Sequence, residues 1–282
     1  MNFFKKLFFG NEGFDNSKVQ VKHLNVPSKY LERGVKVDVF LPPQYGKDKN
    51  QTYPTIYFND GQDMLAVGML DTLTRLFTEG SLPHCIVIAL HCNENRINEY
   101  GTANRPDYKK RGNKARQHAD FVLQELIPLM QTEYKIKQEP QQTVYAGFSL
   151  GALSALDIAW ANPSVFGKVG VFSGSLWWRD QEWSPKDPDG GRIMHDIIGN
   201  SLLWNEGMKF WFQAGTKDED SDRNNNGVID AIDDTLDLMN ALFELGYRPH
   251  EDVKYVEVEG GEHNPKTWGE VMPDFLKWAL PK

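Results

Sequence analysis

The sequence predicts an α/β protein: an open, mostly parallel β-sheet with helices on both faces, entered through an antiparallel pair of strands. Three observations predict it. Short β-rich or wholly apolar runs alternate with segments that carry apolar residues at helical spacing. The first two strand-like runs alternate apolar and polar residues, as half-exposed antiparallel strands do. Between one strand-like run and the next helix-like one lies Gly147-Phe148-Ser149-Leu150-Gly151, a G-x-S-x-G string. In that context the string is a nucleophile elbow.

Size and composition set the limits. The 282 residues are enough for one large domain with a substantial core. We read residues 1–282 as that single domain, with residues 1–17 as an N-terminal arm carrying aromatics and a basic pair. A net charge of −8 argues against a nucleic-acid partner, which needs a basic face. Cys85 and Cys92 are the only cysteines, so a disulfide framework and a Cys-rich zinc site are excluded. The N-terminal apolar run is too short for a signal-peptide core, and no later stretch is long enough to span a bilayer. The expectation is a soluble, cytoplasmic protein.

Residues 19–24 and 35–41 are the antiparallel opening; Val35, Val37, Val39 and Leu41 share one face. Pro42-Pro43 ends it. Residues 53–58 form the next strand, and Asn59-Asp60-Gly61-Gln62 turns into a helix carrying Met69, Leu73 and Leu76. Residues 85–90 are almost wholly apolar, as in a strand covered on both faces. Residues 91–112 are a long polar connection, which usually forms a functional rim; within it, Arg96 and Glu99 have the spacing of an ion pair. A helix follows over 113–134, and Pro128 should bend it.

The elbow strand spans 143–146, and its helix carries Leu153, Leu156 and Trp160 up to Asn162-Pro163. A strand at 168–173 leads to Gly174-Ser175-Leu176-Trp177-Trp178. Residues 179–205 look irregular. A strand at 208–214 runs into Gly215-Thr216-Lys217-Asp218-Glu219. A helix marked by Leu236, Met239 and Phe243 ends at Gly246. The last strand, 253–256, leads to Gly260-Gly261-Glu262-His263 and a terminal helix.

Ligand sites in such sheets lie beyond the carboxyl ends of the strands. Ser149, Asp218 and His263 all follow strand ends. A serine hydroxyl is a poor nucleophile until a base takes its proton, and an acid must hold that base. We assign Ser149 as nucleophile, His263 as base and Asp218 as acid, with Glu219 the alternative in a run of three carboxylates. The oxyanion donors expected are the backbone amide of Leu150 and one at Gly61 or Gln62. Trp177, Trp178 and Tyr100 are candidate walls for a sugar or phenolic group, or simply packing.

A second pattern stands apart. Asp222, Asn224, Asn226, Val228 and Asp233 occupy positions 1, 3, 5, 7 and 12 of an EF-hand-type calcium loop, with Gly227 at the sixth. Asp stands where that loop has a bidentate Glu, and the same string is also a plain Asn-Gly turn.

These motifs resemble the esterase branch of the α/β-hydrolases, which holds esterase D, enterochelin esterases, feruloyl esterases and the antigen 85 mycolyltransferases. The resemblance covers roughly residues 35–280. It is carried by Asp60-Gly61-Gln62, the elbow, Phe172 through Trp178, Gly215 through Glu219, and Gly260-Gly261-Glu262-His263. In feruloyl esterases a Gly-Thr-x-Asp run supplies the acid, matching Asp218; in the mycolyltransferases the acid falls one residue later, matching Glu219. The resemblance implies an α/β-hydrolase fold and a serine carboxylester hydrolase that needs no organic cofactor and acts on a small-molecule ester through an acyl-enzyme. The alternatives are an acyltransferase on the same triad and a non-catalytic, carbohydrate- or ligand-binding protein on this fold.

Overall fold

The computed structural model describes residues 17–202 and 204–281. The expected N-terminal arm therefore lies almost wholly outside the described residues. Eight strands form one sheet: β1 (Gln20–Ser28), β2 (Arg33–Leu41), β3 (Thr55–Asn59), β4 (Ile86–Leu90), β5 (Thr143–Phe148), β6 (Lys168–Phe172), β7 (Lys209–Lys217) and β8 (Val253–Glu262). Their order in the sheet is β1-β2-β4-β3-β5-β6-β7-β8. β1 pairs with β2 and β2 with β4 antiparallel; every later pairing is parallel. The alternating opening and the apolar central runs thus occupy the places their patterns demand.

Side-chain alternation on the strands divides the core in two. On one face Phe58, Phe148 and Phe172 meet Met69, Leu73 and Leu76 of α1 (Met69–Thr78), and Met272 and Phe275 of the terminal helix. On the other face Tyr57 and Tyr145 pack with Leu153 and Leu156 of the elbow helix, and with Phe121, Leu238 and Leu242. Neighbouring residues on β3 and β5 therefore serve opposite layers, as a period of two requires.

The connection after β4 is ordered. It contains the short helix α2 (Arg96–Glu99) and buries Tyr100, Thr102 and Asp107. The next helix is α3 (Ala115–Phe121), which passes through a wider π-type turn at Val122–Leu126 into α4 (Ile127–Glu133). Pro128 sits in the first turn of α4, where its missing N–H is least costly. The wider turn, rather than a break, absorbs the proline. The elbow helix α5 (Leu150–Ala161) is buried along nearly its whole length.

Residues 179–205 are less irregular than expected: they hold α6 (Ile193–Gly199). Its Ile193, Met194 and Ile198 are buried, but the element is too short for its period to stand out in sequence. α7 (Asp230–Glu244) and α8 (Pro265–Ala279) complete the two layers. No helix among the described residues is long and apolar enough to cross a membrane.

Candidate active site

The elbow forms because β5 must reverse into α5 within one residue. Ser149 takes φ 56° and ψ −123°, a region that side-chain-bearing residues avoid. The surrounding glycines make the reversal possible. A Cβ on Gly147 would lie 2.5 Å from the Gly151 carbonyl, and one on Gly151 would lie 2.2 Å from Asp60 Oδ2. The Ser149 amide donates to the Phe172 carbonyl (2.9 Å), and the Ser175 amide donates to the Ser149 carbonyl (3.2 Å). The strained residue is thus pinned from β6 and the loop beyond it.

Ser149, Asp218 and His263 line one cleft of about 320 Å³, together with Ser173, Gly174, Ser175, Trp177, Glu219 and Ala231. Three separate strand ends deliver the three residues to it: β5, β7 and β8. The Asp218 amide donates to the Gly215 carbonyl (3.2 Å), but neither carboxylate oxygen has a hydrogen-bond partner of good geometry among the described residues, although both are shielded from solvent. Ser149 Oγ instead lies 3.4 Å from Ser175 Oγ. Catalytic hydrogen bonds are often loose without substrate and tighten in the complex.

Electrostatics separates the two candidate acids. Burial pushes the Asp218 carboxyl up; the Gly215 backbone, the Ser173 hydroxyl and the His263 charge pull it back. Ser173 Oγ itself accepts from Trp268 Nε1 (2.9 Å) and donates to Gln213 Oε1 (3.4 Å), so its hold on Asp218 is weak. Burial pulls His263 below the usual histidine value; the Asp218 charge opposes this and the Arg96 charge adds to it. Glu219 is raised by burial and then by Asp230 and Asp234, not by any exchange with His263. Of the two carboxylates, Asp218 is the one whose charge bears on the imidazole.

The other sequence candidates separate by burial. Trp177 is 38% exposed and lines the cleft. Trp178 and Tyr100 correct the expectation of an aromatic wall. Trp178 is fully buried and Tyr100 is 1% exposed. The Tyr100 hydroxyl accepts from the Asp60 amide (3.2 Å), so this ring supports the turn after β3 from beneath. Leu150 opens α5, where the first amides have no partner within the helix. Gly61 and Gln62 form a tight turn with Asp63; Gly61 is buried, Gln62 is exposed, and neither lines the cleft.

Arg96 and Glu99 do not pair with each other. Glu99 accepts from Arg33 Nε (3.0 Å), whereas Arg96 grips Asp60 through Nε (2.7 Å) and Nη2 (2.8 Å). Sequence reading also missed Trp268. Its ring meets His263 edge-on at 5.5 Å and stacks on Phe148 at 4.7 Å, so one α8 side chain backs both His263 and the residue before Ser149. Helical spacing alone marks Trp268 as core; nothing local says which core residue lies behind the site.

In the loop at 222–233, the Asp222 carboxylate accepts the amides of Asn226 (3.1 Å) and Gly227 (2.9 Å). Asn224 and Asn226 both donate through Nδ2 to Asp233 Oδ2, at 3.1 and 2.8 Å. The side chains at positions 3, 5 and 12 therefore converge. No group of three or more His, Cys, Asp or Glu among the described residues is arranged to hold a metal.

Residues 28–279 match the sequence model of the family described as Putative esterase. YbbA of Bacillus subtilis is 29% identical over 146 residues, which is 50% of this chain and 57% of that protein. An endo-1,4-beta-xylanase/feruloyl esterase of Xylanibacter ruminicola is 23% identical over 53% of this chain and 21% of its own length. Among solved structures, a ferulic acid esterase aligns with a TM-score of 0.72 at 17% identity, covering 94% of this chain and 98% of its own. The enterobactin esterase of Shigella flexneri aligns at 0.71 and 21% identity, covering 92% of this chain and 58% of its own. The strand order, the strained serine at the β5–α5 junction and a family match over nearly the whole length agree: the chain has the α/β-hydrolase fold and belongs to the Putative esterase family.

Proposed function

We propose that this protein is a serine carboxylester hydrolase working through Ser149, His263 and Asp218. The observation that carries the reading is the strained Ser149, held at φ 56° in a cleft that Asp218 and His263 also line. Ser149 Oγ attacks the acyl carbon while His263 takes its proton. Asp218 orients the imidazole and stabilises its charged form. The amide of Leu150 and an amide of the Gly61–Gln62 turn receive the oxyanion. His263 then protonates the leaving alcohol, and water, activated by the same imidazole, releases the acid. No organic cofactor enters any step.

Trp177 supports an aromatic or sugar group as part of the substrate. The residue lines the cleft, and the Arg111 guanidinium lies over its ring, 5.5 Å from the centroid. The structural neighbours are named for ferulic acid and for enterobactin, and the ligands in their titles carry an aromatic ring, so esters bearing an aromatic group are the class to screen first. Ser149→Ala should lower turnover of p-nitrophenyl esters by at least about 10³-fold, and a fluorophosphonate should label Ser149 in the wild type. Undiminished turnover in the variant would remove the reading. Partition of the acyl group to an added alcohol in preference to water would make the protein a transferase on the same residues.

A second reading concerns the loop at 222–233. Calcium would be held by the side chains of Asp222, Asn224, Asn226 and Asp233 and by the Val228 carbonyl. The convergence of three of those side chains on one point supports it. Amide nitrogen and oxygen exchange places by a simple flip, which would turn two further hard oxygens inward. The ion would order the loop that follows Asp218 and take no part in ester cleavage.

A further inference from the structure

The Arg96–Asp60 pair lies outside the three residues assigned above, yet it touches both walls of the site. Asp60 is fully buried and sits at φ 62°, immediately before Gly61 and Gln62. Arg96 meets its carboxylate with both prongs of the guanidinium, at 2.7 and 2.8 Å. The same Nη2 reaches the carbonyl of Phe148 at 3.3 Å, one residue before Ser149. Asp60 Oδ2 is packed so closely on Gly151 that no side chain fits between them. Next to it, Asn59 Nδ2 donates to the Gly151 carbonyl (2.8 Å). The Tyr100 ring lies under the guanidinium, 5.3 Å from its centre, and its hydroxyl accepts the Asp60 amide. One cation therefore joins the β3 turn to the elbow, and an aromatic ring fixes that cation.

Resting on the serine-hydrolase reading, we infer that Arg96 is a positioning residue that sets the separation of the two oxyanion walls, the turn at Gly61–Gln62 and the elbow amide of Leu150. A bidentate guanidinium–carboxylate pair is a planar, directional clamp, and an ammonium group offers only a point charge in its place. Oxyanion donors act by being in place before charge develops, so a shift of a few tenths of an ångström in one wall costs rate rather than binding. Arg96 is 31% exposed at its side chain and its charge is felt by His263, so the clamp does not lie in the remote core.

The test compares Arg96→Gln, Arg96→Lys and Asp60→Asn with wild type and Ser149→Ala, on the p-nitrophenyl ester that wild type cleaves best, with thermal melts of each. Arg96→Gln and Asp60→Asn should lower kcat by about 10²-fold with KM changed less than about threefold. Arg96→Lys should recover part of that loss, and fluorophosphonate labelling of Ser149 should slow in parallel. Should Arg96→Gln fail to fold, Arg96→Lys decides: it should fold and still lose about tenfold in kcat. A folded Arg96→Gln or Arg96→Lys with kcat within threefold of wild type, or a loss that appears only in KM, overturns the clamp while an inactive Ser149→Ala leaves the triad standing. An active Ser149→Ala overturns both.

Discussion

The backbone of Ser149 is strained because three neighbours leave it no alternative. Gly147 and Gly151 admit the close approach of strand to helix, and the Phe172 carbonyl fixes the amide. The proposed base, His263, and the proposed acid, Asp218, are shifted by their surroundings in opposite directions. His263 must be neutral to accept a proton, and burial holds it below the usual 6.5, assisted by Arg96 and opposed by Asp218. The acidic limb of the kcat/KM profile should therefore fall below pH 6.5. Asp218→Asn removes the one charge that raises the imidazole, so the limb should move lower still and kcat should drop by roughly 10³–10⁴-fold. A pH–rate series on both proteins checks this. If Asp218→Asn keeps turnover within tenfold while Glu219→Gln loses it, Glu219 is the acid instead.

At the scale of elements, the loop at 222–233 and the segment after Trp178 are bound together. Arg223 contacts Asp189 (2.8 Å), Asp230 (3.1 Å) and Asp234 (2.9 Å), and Arg192 contacts Asp234 (2.6 Å) and Asp237 (2.8 Å). Both arginine side chains are nearly buried and each meets more than one carboxylate, so the loss of a single acid leaves neither cation unpaired. A cation in the loop would tighten the same junction. Millimolar calcium should raise the melting temperature relative to EDTA, because a ligand that binds only the folded state stabilises it. Asp222→Ala should abolish the difference. Coincident melts of the wild type in calcium and EDTA would instead mean that the loop's own hydrogen bonds suffice.

Across the whole molecule, two histidines are folded in as neutral groups. Burial lowers His118 to about 4 and His195 to about 3. His118 Nε2 lies 3.2 Å from Asn59 Oδ1, and the Tyr145 hydroxyl donates to the same oxygen (2.8 Å). A histidine depressed in the folded state binds its proton more readily when unfolded. Its contribution is complete above the unfolded value of 6.5 and is lost as pH falls through about 4. For His118 that loss is about 3 kcal/mol. Asp157, pushed up to about 6 by burial, works in the opposite sense. Urea titrations from pH 7 to pH 4 should show wild-type stability falling more steeply than that of His118→Asn; parallel slopes would refute the assignment.

Much of this architecture was legible before any coordinates. Alternation in β1 and β2, apolar runs in β3 to β6, and glycines around Ser149 are local patterns, and each dictates a local geometry. The fold class follows because repeated strand–helix units bury their apolar faces in few ways. Boundaries were less legible: β8 runs on to Glu262 through a pair of glycines that read as a turn. α6 was invisible because two turns carry too little periodicity.

What the sequence by itself determined is which side chains lie at strand ends, since the strand pattern alone sets that. What only the tertiary structure decided is who meets whom. Arg96 takes Asp60 instead of Glu99, Trp178 and Tyr100 turn inward while Trp177 stays at the cleft, and Trp268 arrives behind His263. Each of these partners comes from a segment distant in the chain, and a charge or a ring selects its neighbour by separation in space, which no local period encodes.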